Sequence, residues 1–232
     1  VISQAKRLSG PAQLNIPRDM WTQIVDIEIT DPIEFEPSSG GTNSVAEAAA
    51  ILSSAKNPVI LNGAGVVLSK GGIEASKDLA ERLSAPVCVG YQHNDAFPGN
   101  HPLFAGPLGY NGSKAGMQLI KDADVVLCLG TRLNPFSTLP GYGMEYWPAD
   151  AKIIQVDINP DRIGLTKKVT VGIVGDAAKV AQGIISQLAD DAGDAGRKDR
   201  EAHIAKTKSA WAQELTSMTD ENDDPGTNWN ER

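Results

Sequence analysis

Five consecutive apolar residues, Val125-Val-Leu-Cys-Leu129, run directly into Gly130-Thr-Arg132. A run this short, stopped by glycine, is too brief for a helix and fits a strand covered on both faces. Strands of that kind belong to parallel sheets flanked by helices. Such sheets bind ligands where their strands end. Arg132 therefore stands at the expected ligand edge, a permanent cation suited to phosphate or carboxylate.

The rest of the chain repeats this unit. Ser44 is expected to cap a helix running through Ser54, with Val45, Ala48, Ala49 and Leu52 at helical spacing. Pro58-Val-Ile-Leu61 reads as a strand and 71–84 as a helix with Ile73, Leu79, Ala80 and Leu83 inward. Pro86-Val-Cys-Val-Gly90 is the next strand, and Ser113 opens a helix ending at Lys121. Strands at 152–158 and 169–174 follow, then a helix capped by Asp176 and reaching about Leu188. Alternation of this kind predicts right-handed crossovers and an α/β fold, a Rossmann-like parallel sheet with helices on both faces. Five strands are expected, with room for a sixth.

The flanks read differently. Gly10 to Pro17 suggests a short strand closed by proline. Val25, Ile27 and Ile29 alternate with Asp26 and Glu28, the period of a half-buried strand. Residues 31–43 are rich in Pro, Gly and Ser, a linker composition. Residues 190–199 break the pattern, and a polar helix is expected over 198–218. Its narrow stripe of Ile204, Trp211, Leu215 and Met218 suits a helix lying on a neighbour's surface. The chain opens on valine and closes in a polar stretch, so a piece of a longer protein is expected.

A net charge of −8 and a pI near 4.9 leave no basic stripe for nucleic acid. No apolar run reaches membrane length. Cys88 and Cys128 both lie inside apolar runs and read as reduced core residues of a cytosolic protein, not as a disulfide or metal pair.

Four segments are candidates for ligand contact. Asn62-Gly-Ala-Gly-Val-Val-Leu68 follows a strand, as a dinucleotide-binding turn does, but Leu68 stands where its third glycine or alanine belongs. Gly63 and Gly65 either shape a tight turn or approach a ligand. Gly90-Tyr-Gln-His-Asn-Asp-Ala-Phe-Pro98 gathers aromatic and polar side chains past a strand end; His93, Asn94 and Asp95 either meet a partner or form a solvated turn. Gly106-Pro-Leu-Gly-Tyr-Asn-Gly112 precedes the helix at Ser113, so Gly109 and Gly112 either bring amides to an anion or serve a sharp loop. Asp157 ends a strand, where it accepts a ribose hydroxyl or caps the next turn. His93 and His101 lack a third zinc ligand. No nucleophile–base pair and no P-loop is evident, so no catalytic and no metal residue is assigned.

Taken in order, Gly10-Pro with Asn15-Ile-Pro-Arg-Asp19, Pro58–Gly65, Gly106–Gly112, Asp124–Arg132 and Gln155–Pro160 resemble thiamine diphosphate-dependent enzymes of the acetolactate synthase and pyruvate oxidase group. Within that group, Gly90–Pro98, Leu133–Gly143 and Asp161–Lys167 are similar to the sulfoacetaldehyde acetyltransferase subfamily. The resemblance implies the end of a pyrimidine-binding domain at 1–36, a linker at 37–43, the central domain at 44–190, and a linker helix toward a diphosphate-binding domain at 191–232. It implies conversion of sulfoacetaldehyde and phosphate to acetyl phosphate and sulfite, with the cofactor as electron sink, in a homo-oligomer, dimer or tetramer. In the family a glutamate of the early pyrimidine domain activates the cofactor, and a Gly-Asp-Gly…Asn motif of the last domain holds Mg²⁺; these 232 residues contain neither part. In flavin-containing relatives the central domain holds FAD, which the resemblance maps to Gly63, Gly65, Gly109, Gly112, Arg132 and Asp157. Leu133-Asn-Pro-Phe136 replaces the usual Phe-Asp-Asp-Arg of acetolactate synthases, a departure that weighs against FAD, and His93, Asn94 and Asp95, past a strand end, are expected instead near the substrate mouth of the assembled enzyme. The alternatives are a carboligase or decarboxylase of the same family and a stand-alone module binding FAD, NAD or ADP.

Overall fold

The apolar runs become strands of one sheet in the computed structural model, which describes residues 1–8, 10–31 and 34–222. The strands are β1 (Pro58–Asn62), β2 (Val87–Gly90), β3 (Phe104–Leu108), β4 (Val125–Leu129), β5 (Lys152–Asp157) and β6 (Val171–Val174). The helices are α1 (Ile2–Leu8), α2 (Thr42–Ser53), α3 (Ala64–Leu68), α4 (Gly72–Leu83), α5 (Lys114–Lys121), α6 (Ala177–Ile185) and α7 (Arg197–Asn222). Every strand pair is parallel, and the order is β3-β2-β1-β4-β5-β6. Helices α2, α3, α4 and α6 pack on one another as one layer, and α5 with α7 as another.

β4 lies between β1 and β5, with Leu127 in register with Ile60 on one side and Ile154 on the other. All five of its residues are buried, as the uninterrupted apolar run requires. Strand order reverses across β1 and β4, so the chain folds away from this pair in both directions and leaves a crevice at their carboxyl ends. Cys88 and Cys128 are both register partners of Leu61. Two strand spacings, roughly 9.5 Å, therefore separate them, beyond the reach of a disulfide.

The sixth strand is β3, an edge strand. It overlaps the stretch expected above as loop, because Gly106 and Pro107 read as turn residues. Proline is tolerated in a sheet at its edge, where the missing N–H costs no ladder bond. Ser113 and Asp176 cap α5 and α6 as expected, accepting the amides of Gly116 and Lys179. Ser44 does not cap α2: the helix starts at Thr42, with Gly41 in the cap position and no side-chain bond.

Neither strand expected near the N-terminus forms. Residues 10–31 contain a 3₁₀ turn at Arg18–Thr22 and no strand, and Ile24, Val25, Ile27 and Ile29 are exposed. Alternation encodes a surface to be covered, and a strand also needs a neighbour for its backbone. Among the described residues nothing pairs with this segment.

α7 extends the predicted polar helix by a turn at its end. Of its expected stripe Ile204 is buried, and Trp211 meets Tyr142 edge-on with ring centroids 5.4 Å apart. Polar bonds supply the rest. Buried Arg200 spends all five donors on the carbonyls of Lys56, Leu83, Ser84, Gly193 and Ala195. Lys114 and Glu214 pair at 2.8 Å nearer the other end.

The central place of β4 has a measurable consequence. Leu127→Ala is expected to lower the unfolding free energy by about 2–5 kcal/mol in urea denaturation, the cost of a cavity in a covered core. A loss below about 0.5 kcal/mol is the surface value and contradicts this placement.

Candidate functional site

A cleft of about 330 Å³ opens at the carboxyl ends of the strands, where the order reverses. Two glycine turns make its floor. The turn after β1 donates from Gly63 N to Leu129 O at 3.0 Å and from Gly65 N to Gly130 O at 2.8 Å. A Cβ on Gly65 would sit 2.6 Å from Gly130 Cα, and one on Gly63 would sit 2.5 Å from Thr131 Cβ. Gly130 also takes a left-handed conformation, φ +61°, which a side chain resists. Gly63 and Gly65 thus allow backbone to lie on backbone, and they line the cleft as well.

Arg132 and Arg162 stand in the cleft wall. Neither guanidinium has a hydrogen-bond or ion-pair partner among the described residues. Arg132 follows β4, in a turn where Leu133 is buried at φ +54° and its amide donates to Thr131 Oγ1 at 3.2 Å. Arg162 sits in the 3₁₀ turn after β5, opened by Asn159, whose side chain accepts the Asp161 amide at 3.0 Å. Two unpaired guanidinium groups facing one hollow make it receptive to an anion.

Asp157 and Asp176 supply acidic walls. Asp157 is 5% exposed, and one carboxylate oxygen accepts the Asn159 amide at 2.8 Å, steadying the residue that caps the following turn. Burial pushes its carboxyl above the ordinary value, against the pull of the Asn159 amide and the charges of Arg162 and Arg132. Asp176 accepts from Ser69 Oγ at 2.7 Å, which in turn accepts the Ala178 amide, so the amino end of α6 is already satisfied.

His93 reaches the cleft from the loop after β2; Asn94 and Asp95 are exposed and lie outside its lining. Buried Asn62 fixes that loop. Its amide donates to Ala96 O at 2.9 Å and pairs with Ser76 of α4. Gly109 and Gly112 also lie outside the lining. Their missing side chains serve packing instead: a Cβ on Gly109 would be 2.5 Å from Phe136 O, and one on Gly112 would be 2.5 Å from Pro107 O. Of the residues singled out from the sequence, Gly63, Gly65, His93, Arg132 and Asp157 come together. Arg162, Ser69 and Asp176 join them without having been singled out. The signal for Arg162 was its place just after a strand end, on the ligand edge.

A larger hollow of about 790 Å³ opens at the opposite edge beneath α7. Its buried cation, Arg200, has no donor left. Among the described residues no group of three His, Cys, Asp or Glu is placed to hold a metal ion, and no helix is long and apolar enough to cross a membrane.

Residues 45–184 match the family described as thiamine pyrophosphate enzyme, central domain. The chain is 70% identical over all 232 residues to a sulfoacetaldehyde acetyltransferase of Roseovarius nubinhibens, and 65% identical over the same length to one of Rhodobacter capsulatus. It spans 38% and 39% of those proteins. A solved structure, benzoylformate decarboxylase from Polynucleobacter necessarius, shares the fold: TM-score 0.60 at 23% identity, over 74% of this chain and 32% of that one.

The Asp157 carboxyl gives a pH prediction. Its folded value lies above the ordinary 3.8, so the folded chain holds this proton more tightly than the unfolded chain. The group's contribution to stability is fully present below 3.8 and is lost as pH rises through the raised value. Asp157→Asn keeps an oxygen for the Asn159 amide and removes the buried charge. Urea denaturation is expected to find the variant more stable than the parent at pH 7, with the gap closing near pH ~3. A variant less stable than the parent at pH 7 contradicts this.

Proposed function

Since this chain belongs to the thiamine pyrophosphate enzyme family, as a central domain, we propose that it braces the active centre of a sulfoacetaldehyde acetyltransferase. The reaction is the conversion of sulfoacetaldehyde and phosphate to acetyl phosphate and sulfite. The observation that carries this reading is the 70% identity across the whole 232 residues to a protein of that name. The three long segments that single out the subfamily lie around the cleft: Gly90–Pro98 and Leu133–Gly143 supply wall residues, and Asp161–Lys167 supplies Arg162.

The described residues do not suit the Mg²⁺ that the cofactor's diphosphate carries. They offer no group of three carboxylate, His or Cys side chains for the metal, and the two acids of the cleft, Asp157 and Asp176, are engaged with Asn159 and with Ser69 and Lys179. We therefore assign thiamine diphosphate and Mg²⁺ to the part of the enzyme outside this chain, which spans 38% of its relative. We place the end of a pyrimidine-binding domain at 1–36, a linker at 37–43, the central domain at 44–190, and the connection to a diphosphate-binding domain at 191–232. Assembly as a cytoplasmic homo-oligomer belongs to the same reading.

The cleft has its own role in this proposal. Arg132 and Arg162 hold a phosphate or similar anion, and Asp157 accepts a hydroxyl from the same ligand. An ADP-like ligand has both features. FAD fits less well, because Leu133-Asn-Pro-Phe136 is spent on local structure: Leu133 is buried and Asn134 accepts the Phe136 amide at 3.0 Å.

The polypeptide with flanks of its relatives' length is expected to release sulfite from sulfoacetaldehyde only when phosphate is present, with acetyl phosphate formed in equal amount. The 232-residue chain alone is expected to show no turnover. Carboligation or decarboxylation of pyruvate without sulfite release would move the longer polypeptide to another branch of the family.

A further inference from the structure

We propose that Gln155 is a positioning residue that ties the two cleft arginines into one anion-binding unit. The inference rests on the reading that the cleft takes an anion.

Gln155 is 1% exposed in β5, between Ile154 and Val156. A primary amide in such a place must find all its partners inside the protein. It finds them in the two loops that bear the arginines. Nε2 donates to Thr131 O at 3.1 Å and to Arg162 O at 3.1 Å, and Oε1 accepts the Gly164 amide at 2.9 Å. Thr131 immediately precedes Arg132, and Arg162 is held through its own carbonyl. The residue after Arg132 is fixed from the same side, since Thr166 Oγ1 donates to Leu133 O at 2.9 Å. Arg132 is thus bracketed by two hydrogen bonds, both from β5 or the loop after it. Its turn includes a left-handed Leu133, a conformation that such ties help to hold, together with the Leu133 amide's own bond to Thr131 Oγ1.

The consequence is chemical. Two guanidinium groups repel each other and gain from one anion together only if their backbones keep a fixed separation. Fixing that separation before the ligand arrives removes an ordering cost from binding. Gln155 touches no ligand in this scheme. It sets the span between the two cations.

Calorimetric titration of the 232-residue chain with inorganic pyrophosphate tests this, with thermal unfolding recorded beside it. Arg132→Ala and Arg162→Ala are each expected to weaken binding about tenfold, and Gln155→Met, of equal length but without the amide, about tenfold as well. The decisive reading is coupling. On the Gln155→Met background, adding Arg162→Ala is expected to cost less than about twofold, because the arginines no longer act together. A residue that merely stabilises the sheet would lower the melting temperature and leave the Arg162→Ala factor unchanged. An unchanged factor, or parental affinity in Gln155→Met, overturns the inference and leaves the cleft reading intact. A parent chain that takes no pyrophosphate overturns both. Hydrogen exchange on the unaltered chain needs no variant: the Gly164 amide is expected to be protected, more so with pyrophosphate. Exchange of that amide at the free-chain rate also overturns the assignment.

Discussion

The contact on which the rest depends is backbone against backbone, where the turn after β1 crosses the end of β4. Gly65 and Gly130 come so close that a Cβ on either would lie within 2.7 Å of the other's Cα. The approach lets the amides of Gly63 and Gly65 bond to Leu129 and Gly130, which locks the two central strands together at their ligand-facing ends. It also sets the cleft floor and the starting point of the Arg132 turn. The sheet's reversal of strand order makes a crevice, and Gly63, Gly65 and Gly130 of the crossing line it.

Above that floor the walls are charged and directed. Among the described residues the cations in the loops after β4 and β5 have no hydrogen-bond or ion-pair partner, while the acids are engaged. Asp157 accepts the Asn159 amide, and Asp176 caps α6 and holds Ser69. In the proposed reading the unpaired cations hold the ligand's anion, and the engaged acids shape the space around it, Asp157 also accepting the ligand's hydroxyl. This division fits a support domain with a binding hollow of its own. Among the described residues no group of three His, Cys, Asp or Glu is placed to hold a metal ion.

Much of the fold is legible in the sequence because burial on both faces leaves a plain mark. Val125–Leu129 and Pro58–Leu61 announce themselves as apolar runs, and Ile153–Val156 as one interrupted only by Gln155. The edge strand Phe104–Leu108 does not, since one flank has no neighbour and the strand tolerates Gly106 and Pro107. Val25 to Ile29 misleads in the opposite sense: its alternation describes a covered surface that the described residues do not provide. The start of α2 misleads because Gly41 occupies the cap position and offers no side chain to read. At the site, Gly63, Gly65, Arg132 and Asp157 are legible since each abuts a strand end. Arg162 and Asp176 also follow strand ends, but the order β4-β5-β6 that brings them near the others is stated by no local pattern. Gln155 is visible as a polar break in an apolar strand, but its partners, 24 residues back and 7 to 9 ahead, are not.

The central claim is that the glycine crossing fixes both the core and the cleft. Gly130→Ala addresses it directly. The substitution forces a side chain into a left-handed position and against the Gly65 backbone, so urea denaturation is expected to show a loss of at least about 2 kcal/mol. An alanine variant as stable as the parent would mean that the two turns do not meet as described, and would contradict the account.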